Sequence, residues 1–272
     1  MRQWTIDGVE VVLEGEGEHT IVMLHGWPDH ARLWDGQVAA LRGRFRCARF
    51  TLPGFAPGQP RRAHSLAETT ALIERVVTRV SPDRPVTLLL HDWGCMFGYH
   101  FQQRHPDLVA GVIACDVGDA VSPACRAAHG WRAKLMIAGY QLWLALAWRI
   151  GGAPGDRMSR SMARFLGAPA APETVHSGMN YPYYITWTGA YGGYRDMVPF
   201  AADCPTMFIY GTRKPFMFHS PQWLAQLTGR PDNQVLALPT GHWVMLRQAD
   251  VFNRAMLAWL DQRDTPMRAA AV

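Results

Sequence analysis

The sequence predicts an α/β protein: a mostly parallel central sheet flanked by helices and interrupted by a helical insertion. Three observations carry this. From Thr20 to Cys115, short apolar runs alternate with helix-like segments. From Val121 to about Ala202 the alternation stops, and aromatic, Gly, Ala and Pro residues dominate without an obvious strand. From Pro205 to Leu260 it resumes. Strand and helix in strict alternation imply parallel strands joined by crossovers. A chain of 272 residues suffices for one such domain with an insertion. The expected division is 1–120 core, 121–202 helical cap and 203–272 core.

Each element has its own justification. Gln3–Ile6 and Val9–Leu13 flank an Asp7-Gly8 turn and read as a hairpin. Thr20–Leu24 is an unbroken apolar run, as expected of a strand covered on both faces. Leu33–Leu41 has helical spacing, and Arg46–Thr51 is the next strand. Ser65 with Glu68 three residues on forms a capping box, opening a helix to about Val80. Val86–Leu90, Met96–Arg104 and Val109–Cys115 read as strand, helix and strand. After the insertion come strand Pro205–Tyr210, helix Ser220–Leu227, strand Gln234–Leu238 and helix Val244–Leu260. The tail TPMRAAAV is expected to fray.

Composition narrows the function classes. Hydrophobic residues make up 49% and charged residues 18%, which suits a packed core and not a disordered chain. The net charge is +5, but the arginines are scattered singly and in pairs, so a nucleic-acid role has no support beyond the charge itself. Five widely spaced cysteines without a CxxC argue against a disulfide framework or a zinc site, and suit a reducing, cytoplasmic setting. The N-terminus is too acidic and broken for a signal peptide. Leu135–Ile150 is the most membrane-like window, but it falls short of the ~20 residues of a spanning helix. A buried or amphipathic helix is the favoured reading there, with an interfacial helix as the alternative. The oligomeric state is left open, a homodimer being one compatible form.

The chemistry concentrates at Leu90-His91-Asp92-Trp93-Gly94. A tight strand–turn–helix exposes one side chain at the carboxyl edge of a sheet, beside helix N–H groups. The pattern G-x-Nuc-x-G is met except that Leu90 replaces the first glycine; Cys95 and Gly98 continue the helix with small residues. The nucleophile position holds Asp92. A carboxylate is a poor acyl nucleophile but a competent one at sp³ carbon when the leaving group is strained or stable. The resulting ester needs water activated by a base. His242, in Leu238-Pro239-Thr240-Gly241-His242-Trp243 after the last strand, is placed for that role. An acid to orient it is expected after strand 205–210, but Lys214 stands there. The other position, after strand 109–115, offers Asp116, with Asp119 second; Asp116 could instead simply cap the following turn.

Taken in order, His25-Gly26-Trp27-Pro28, His91-Asp92-Trp93-Gly94 and Gly241-His242-Trp243 resemble the α/β-hydrolase superfamily, in its aspartate-nucleophile branch of soluble epoxide hydrolases and haloalkane dehalogenases. The resemblance covers essentially the whole chain. It implies an α/β-hydrolase fold with a cap, oxyanion-hole amides at Trp27 and Trp93, and no cofactor or metal; an acid at the Asp116 position resembles one dehalogenase subgroup. Gly139-Tyr140-Gln141-Leu142 and Gly193-Tyr194-Arg195-Asp196 resemble the segments carrying the two cap tyrosines of epoxide hydrolases, while the dehalogenase asparagine position holds Trp27. Tyr140 and Tyr194 are the expected proton donors, with Tyr181, Tyr183, Tyr184 and Tyr191 as competitors. The expected activity is opening of small apolar epoxides by water to vicinal diols. Haloalkane dehalogenation is the first alternative, and a non-catalytic ligand-binding protein the second.

Overall fold

A computed structural model describes residues 1–269, with side chains to residue 263. The sheet strands are β1 (Arg2–Ile6), β2 (Val9–Glu14), β3 (Thr20–Leu24), β4 (Arg46–Phe50), β5 (Val86–His91), β6 (Val109–Cys115), β7 (Thr206–Gly211) and β8 (Gln234–Leu238). Their spatial order is β1-β2-β4-β3-β5-β6-β7-β8. β1 with β2 and β2 with β4 pair antiparallel; every later pairing is parallel. This is the α/β-hydrolase sheet the sequence predicts.

The period-two exposure of strand side chains splits the apolar residues between two cores. Val22, Leu24, Leu88, Leu90, Val112 and Ala114 face one, and Ile21, Met23, Leu89, Ile113 and Cys115 face the other. All are fully buried, which is why these strands read as continuous apolar runs.

The helices are α1 (Asp35–Leu41), α2 (Leu66–Val80), α3 (Trp93–Arg104), α4 (Pro123–Ala128), α5 (Trp131–Ile150), α6 (Gly152–Phe165), α7 (Tyr181–Thr188), α8 (Pro221–Thr228), α9 (Val244–Arg247) and α10 (Ala249–Ala269). α2 starts with the predicted capping box: Ser65 Oγ accepts from the Glu68 amide, and Glu68 accepts from the Ser65 amide. Between β6 and β7 the chain forms α4–α7 and no strand among the described residues.

Three expectations are corrected. The helix predicted at Leu33–Leu41 opens with a 3₁₀ turn at Ala31–Trp34, where His30 Nδ1 accepts from the Arg32 amide. The single helix predicted over Val244–Leu260 is broken at Gln248 (φ −133°, ψ 45°) into α9 and α10. The tail is helical through Ala269 rather than frayed from residue 265; residues 270–272 lie outside the described residues.

Candidate active site

Three strand ends deliver the polar groups. β5 stops at His91, and Asp92 turns the chain into α3 with φ 54° and ψ −120°. Such a backbone is costly for a non-glycine residue and is held only where the surroundings enforce it. Here they do. A Cβ on Gly26 would lie 2.2 Å from Asp92 Oδ1, and one on Gly94 would lie 2.2 Å from the Leu24 carbonyl oxygen. Leu90 departs from the elbow pattern by its bulk, and Gly98 supplies the missing room. The Leu90 Cδ2 sits 2.5 Å from where a Gly98 Cβ would be. The large and small residues of this strand–helix contact have changed places.

Asp92 is gripped by backbone donors. Trp27 N donates to its Oδ1 at 2.6 Å, and the Trp93 amide also hydrogen-bonds its carboxylate. The Trp27-Pro28 peptide bond is cis. His25 braces the same loop: its Nδ1 lies 3.0 Å from the Gly26 carbonyl and its Nε2 accepts from the Leu52 amide at 2.9 Å. Burial lowers the His25 pKa to about 4, so the ring is neutral in this role.

The loop after β8 brings in His242. Its Nε2 lies 3.5 Å from Asp92 Oδ2, and its Nδ1 is hydrogen-bonded to Asp116 Oδ2. Asp116 ends β6 with φ 69°. Its Oδ1 accepts from Gly211 N at 2.9 Å and from Lys214 Nζ at 2.5 Å. The side chain therefore reaches across to the β7–β8 side instead of capping its own turn. Asp119 turns elsewhere, accepting from Ser122 Oγ, Ser220 N and Ser220 Oγ.

These charges balance one another. Burial works against the His242 imidazolium, but Asp116 and Asp92 outweigh it and push the pKa up to about 9. Burial also opposes the charge on Asp116 and Asp92; the His242 hydrogen bonds and charge, with Lys214 acting on Asp116, bring both below the ordinary aspartate value. Lys214 is kept charged by Asp116 against a burial penalty that lowers its pKa. Two carboxylates thus face an imidazolium and an ammonium. His91 packs against the His242 ring with centroids 4.4 Å apart, and burial lowers its pKa to about 3, leaving it neutral.

A cavity of two lobes, about 750 and 480 Å³, lies above Asp92. Asp92, Tyr140, Tyr183 and Phe218 line both; Tyr194 lines only the larger, and His242 only the smaller. Tyr140, from α5, accepts from Gln141 Nε2 at 3.3 Å, leaving its proton free to donate. Tyr183, from α7, meets Trp27, Trp93 and Tyr140 edge-on at 6.0, 5.3 and 6.0 Å. Burial raises its pKa, and the Asp92 charge adds to this. Tyr194 leans on Trp93 and Phe97 at 5.6 and 6.1 Å, its hydroxyl buried without a partner. Asp92 acts electrostatically on Tyr140 and Tyr183, whereas the neighbour felt by Tyr194 is Tyr181.

Sequence reasoning missed a polar chain tying the insertion to the core. Trp27 Nε1 donates to Asn180 Oδ1 at 2.7 Å, Asn180 Nδ2 donates to Ser159 Oγ at 2.7 Å, and Ser159 Oγ donates to the Gly155 carbonyl at 2.9 Å. Asn180 and Ser159 are fully buried. It also missed Asp29, which accepts from Trp243 Nε1 at 2.8 Å; its burial raises the pKa to about 7.

Comparison with known proteins adds the family. The model of the "Alpha/beta hydrolase family" matches residues 21–255. The "Probable oxidoreductase EphD" of Mycobacterium tuberculosis is 35% identical over 104 residues, which is 36% of this chain and 18% of that protein. An epoxide hydrolase, srdG, of Neurospora crassa is 32% identical over 101 residues, 35% of this chain and 29% of that protein. These matches span less than a third of either relative's length. The inhibitor-bound epoxide hydrolase of Bacillus megaterium is similar in fold, with TM-score 0.69 and 18% identity over 96% of this chain and all of that one.

Proposed function

We propose, from the premise that this chain belongs to the alpha/beta hydrolase family, that it opens apolar epoxides to vicinal diols through an ester on Asp92. The observation that carries this is the approach of His242 Nε2 to 3.5 Å from Asp92 Oδ2 while its Nδ1 is held by Asp116. That arrangement serves a nucleophilic carboxylate followed by base-assisted hydrolysis.

In the first step the outward Asp92 oxygen attacks an oxirane carbon and the C–O bond breaks. The ring oxygen takes a proton from a tyrosine hydroxyl. Tyr140 is one donor. We assign the second to Tyr183 in place of Tyr194, because Tyr183 shares both lobes with Asp92 and lies over Trp27 and Trp93. Alkylation removes the Asp92 charge, and with it one of the two carboxylates that raise the His242 pKa. The imidazolium then gives up its proton, which restores the tyrosinate left by ring opening to tyrosine, and the neutral imidazole deprotonates the water that attacks the ester carbonyl. The Trp27 and Trp93 amides stabilise the oxyanion. Collapse expels the diol as its alkoxide, which takes the carboxyl proton and leaves Asp92 ionised beside the imidazolium.

Two rivals fare worse on particular contacts. A halide site needs indole N–H groups free beside the nucleophile. The Trp27 and Trp243 indoles are committed to Asn180 and Asp29, and Trp93 hydrogen-bonds towards Tyr183. A silent binding protein would not need His242 held between two carboxylates. Replacement Asp92→Asn should lower turnover of aryl epoxides by about 10³-fold or more and abolish a covalent adduct in the intact mass. Turnover at the parent rate sinks the reading; halide release from haloalkanes without diol formation favours the first rival.

A further inference from the structure

The charge of the chain is unevenly placed. Residues 121–202 hold eight Arg and Lys against three Asp and Glu, an excess of five, equal to the net +5 of all 272 residues. The rest of the chain is balanced. The same segment carries the large apolar side chains left in water. On α5 these include Trp131, Leu135, Leu142, Leu146 and Ile150, and at the end of α6 Phe165, which is 78% exposed.

Helix geometry gathers them. At 3.6 residues per turn, the exposed apolar residues of α5 fall within an arc of about 140°, running the length of a helix of about 30 Å. Arg132 and Arg149 rise from the same arc, and Lys134, Arg157 and Arg164 are also exposed. The opposite side of α5, with Leu144, Ala147 and Trp148, is buried. No described helix, α5 included, is long and apolar enough to cross a bilayer. The arc also adjoins the cavity. Met136 and Gly139 of α5, with Phe165 and Leu166, line the smaller lobe beside Asp92 and His242.

We infer that this outward face of α5, with the end of α6, docks the protein on an anionic lipid surface and sets the cavity mouth against it. Amphipathic helices with basic residues beside bulky apolar ones lie in the headgroup boundary in this way. A second copy of this chain fits less well. A two-fold interface lays a patch against itself, and here that brings Arg132 and Arg149 of the arc close to their own copies. Lipid phosphates complement both parts of the face. The inference rests on the surface and holds whichever reaction Asp92 performs.

The test is co-sedimentation of the full chain with vesicles of phosphatidylcholine alone or with one-third phosphatidylglycerol. Binding to the anionic vesicles should be at least tenfold tighter and weaken in high salt. The exposed double substitution Leu142→Glu/Leu146→Glu should return it to the phosphatidylcholine level, with thermal midpoint and turnover of a water-soluble substrate unchanged. Equal binding to both vesicles, no binding, or full binding by the double variant overturns the inference. A dimer in sedimentation equilibrium that the double variant dissociates, without vesicle binding, overturns it in favour of a second copy.

Discussion

The sheet edge and the inserted helices both border the cavity above Asp92, but they hold their contributions differently. The sheet edge works through backbone. Amides of Trp27 and Trp93 grip Asp92, Gly26 and Gly94 admit neighbouring atoms where no Cβ would fit, and Asp92 and Asp116 sit at positive φ. The insertion works through side chains: the Tyr183 ring rests edge-on against two tryptophans, and the Trp27 indole is tied to Asn180 and Ser159. A carboxylate site built from backbone tolerates few substitutions. A site end made of packed rings can change its chemistry by single replacements without disturbing the sheet.

This contrast can be broken, and the largest effect is expected on the sheet side. On the proposed reading His242 is the base, so His242→Gln should cut steady-state turnover by about 10²–10⁴-fold. The first half-reaction should survive, so the ester should accumulate and be seen as an added substrate mass. Loss of turnover without accumulated ester would mean that His242 serves the first step instead.

On the insertion side, Tyr183→Phe should lower kcat/KM by about 10–100-fold, each lost donor costing a few kcal/mol at most. Tyr194→Phe should cost only a few-fold. The reverse ranking would return the second donor to Tyr194 and give its orphaned hydroxyl a purpose. A smaller effect belongs to the exchanged pair. Gly98→Ala should destabilise by about 1–3 kcal/mol, because the new methyl meets Leu90. Combining it with Leu90→Ala should recover part of the lost thermal midpoint, and simple additivity would deny the exchange.

The smallest expected effect concerns pH. Lys214 draws on one oxygen of Asp116 while His242 takes the other. Lys214→Met leaves more of the carboxylate charge to the imidazolium and should raise its pKa. In the proposed reaction ester hydrolysis needs the neutral imidazole, so its rising limb should move to higher pH in single-turnover experiments. An unmoved or acid-shifted limb would show that Lys214 does not act through Asp116.

The same contrast governs what the sequence made legible. Strand limits and the capping box agree with the structure to within a residue or so, because apolar period and cap chemistry are local. Asp116 was chosen because the strand end where an acid was first expected holds Lys214, and the structure brings its carboxylate to the His242 Nδ1. Tyr183 was left among several competitors. In a stretch such as Tyr181-Pro182-Tyr183-Tyr184, periodicity cannot separate a ring facing a cavity from one buried in the core. Tyr181 is fully buried, Tyr183 borders both lobes, and the chain between them differs by one proline. Asn180 and Ser159 gave no signal, since a buried hydrogen bond between two distant helices leaves no local pattern.

The meeting of Asp116 and Lys214 at one point has a consequence for redesign. Neighbouring parallel strands end side by side, so a carboxylate on either could serve the same imidazole. Moving the acid one strand sideways would therefore exchange the residues at 116 and 214 and leave the ring where it is. The double replacement Asp116→Asn/Lys214→Asp would make that move.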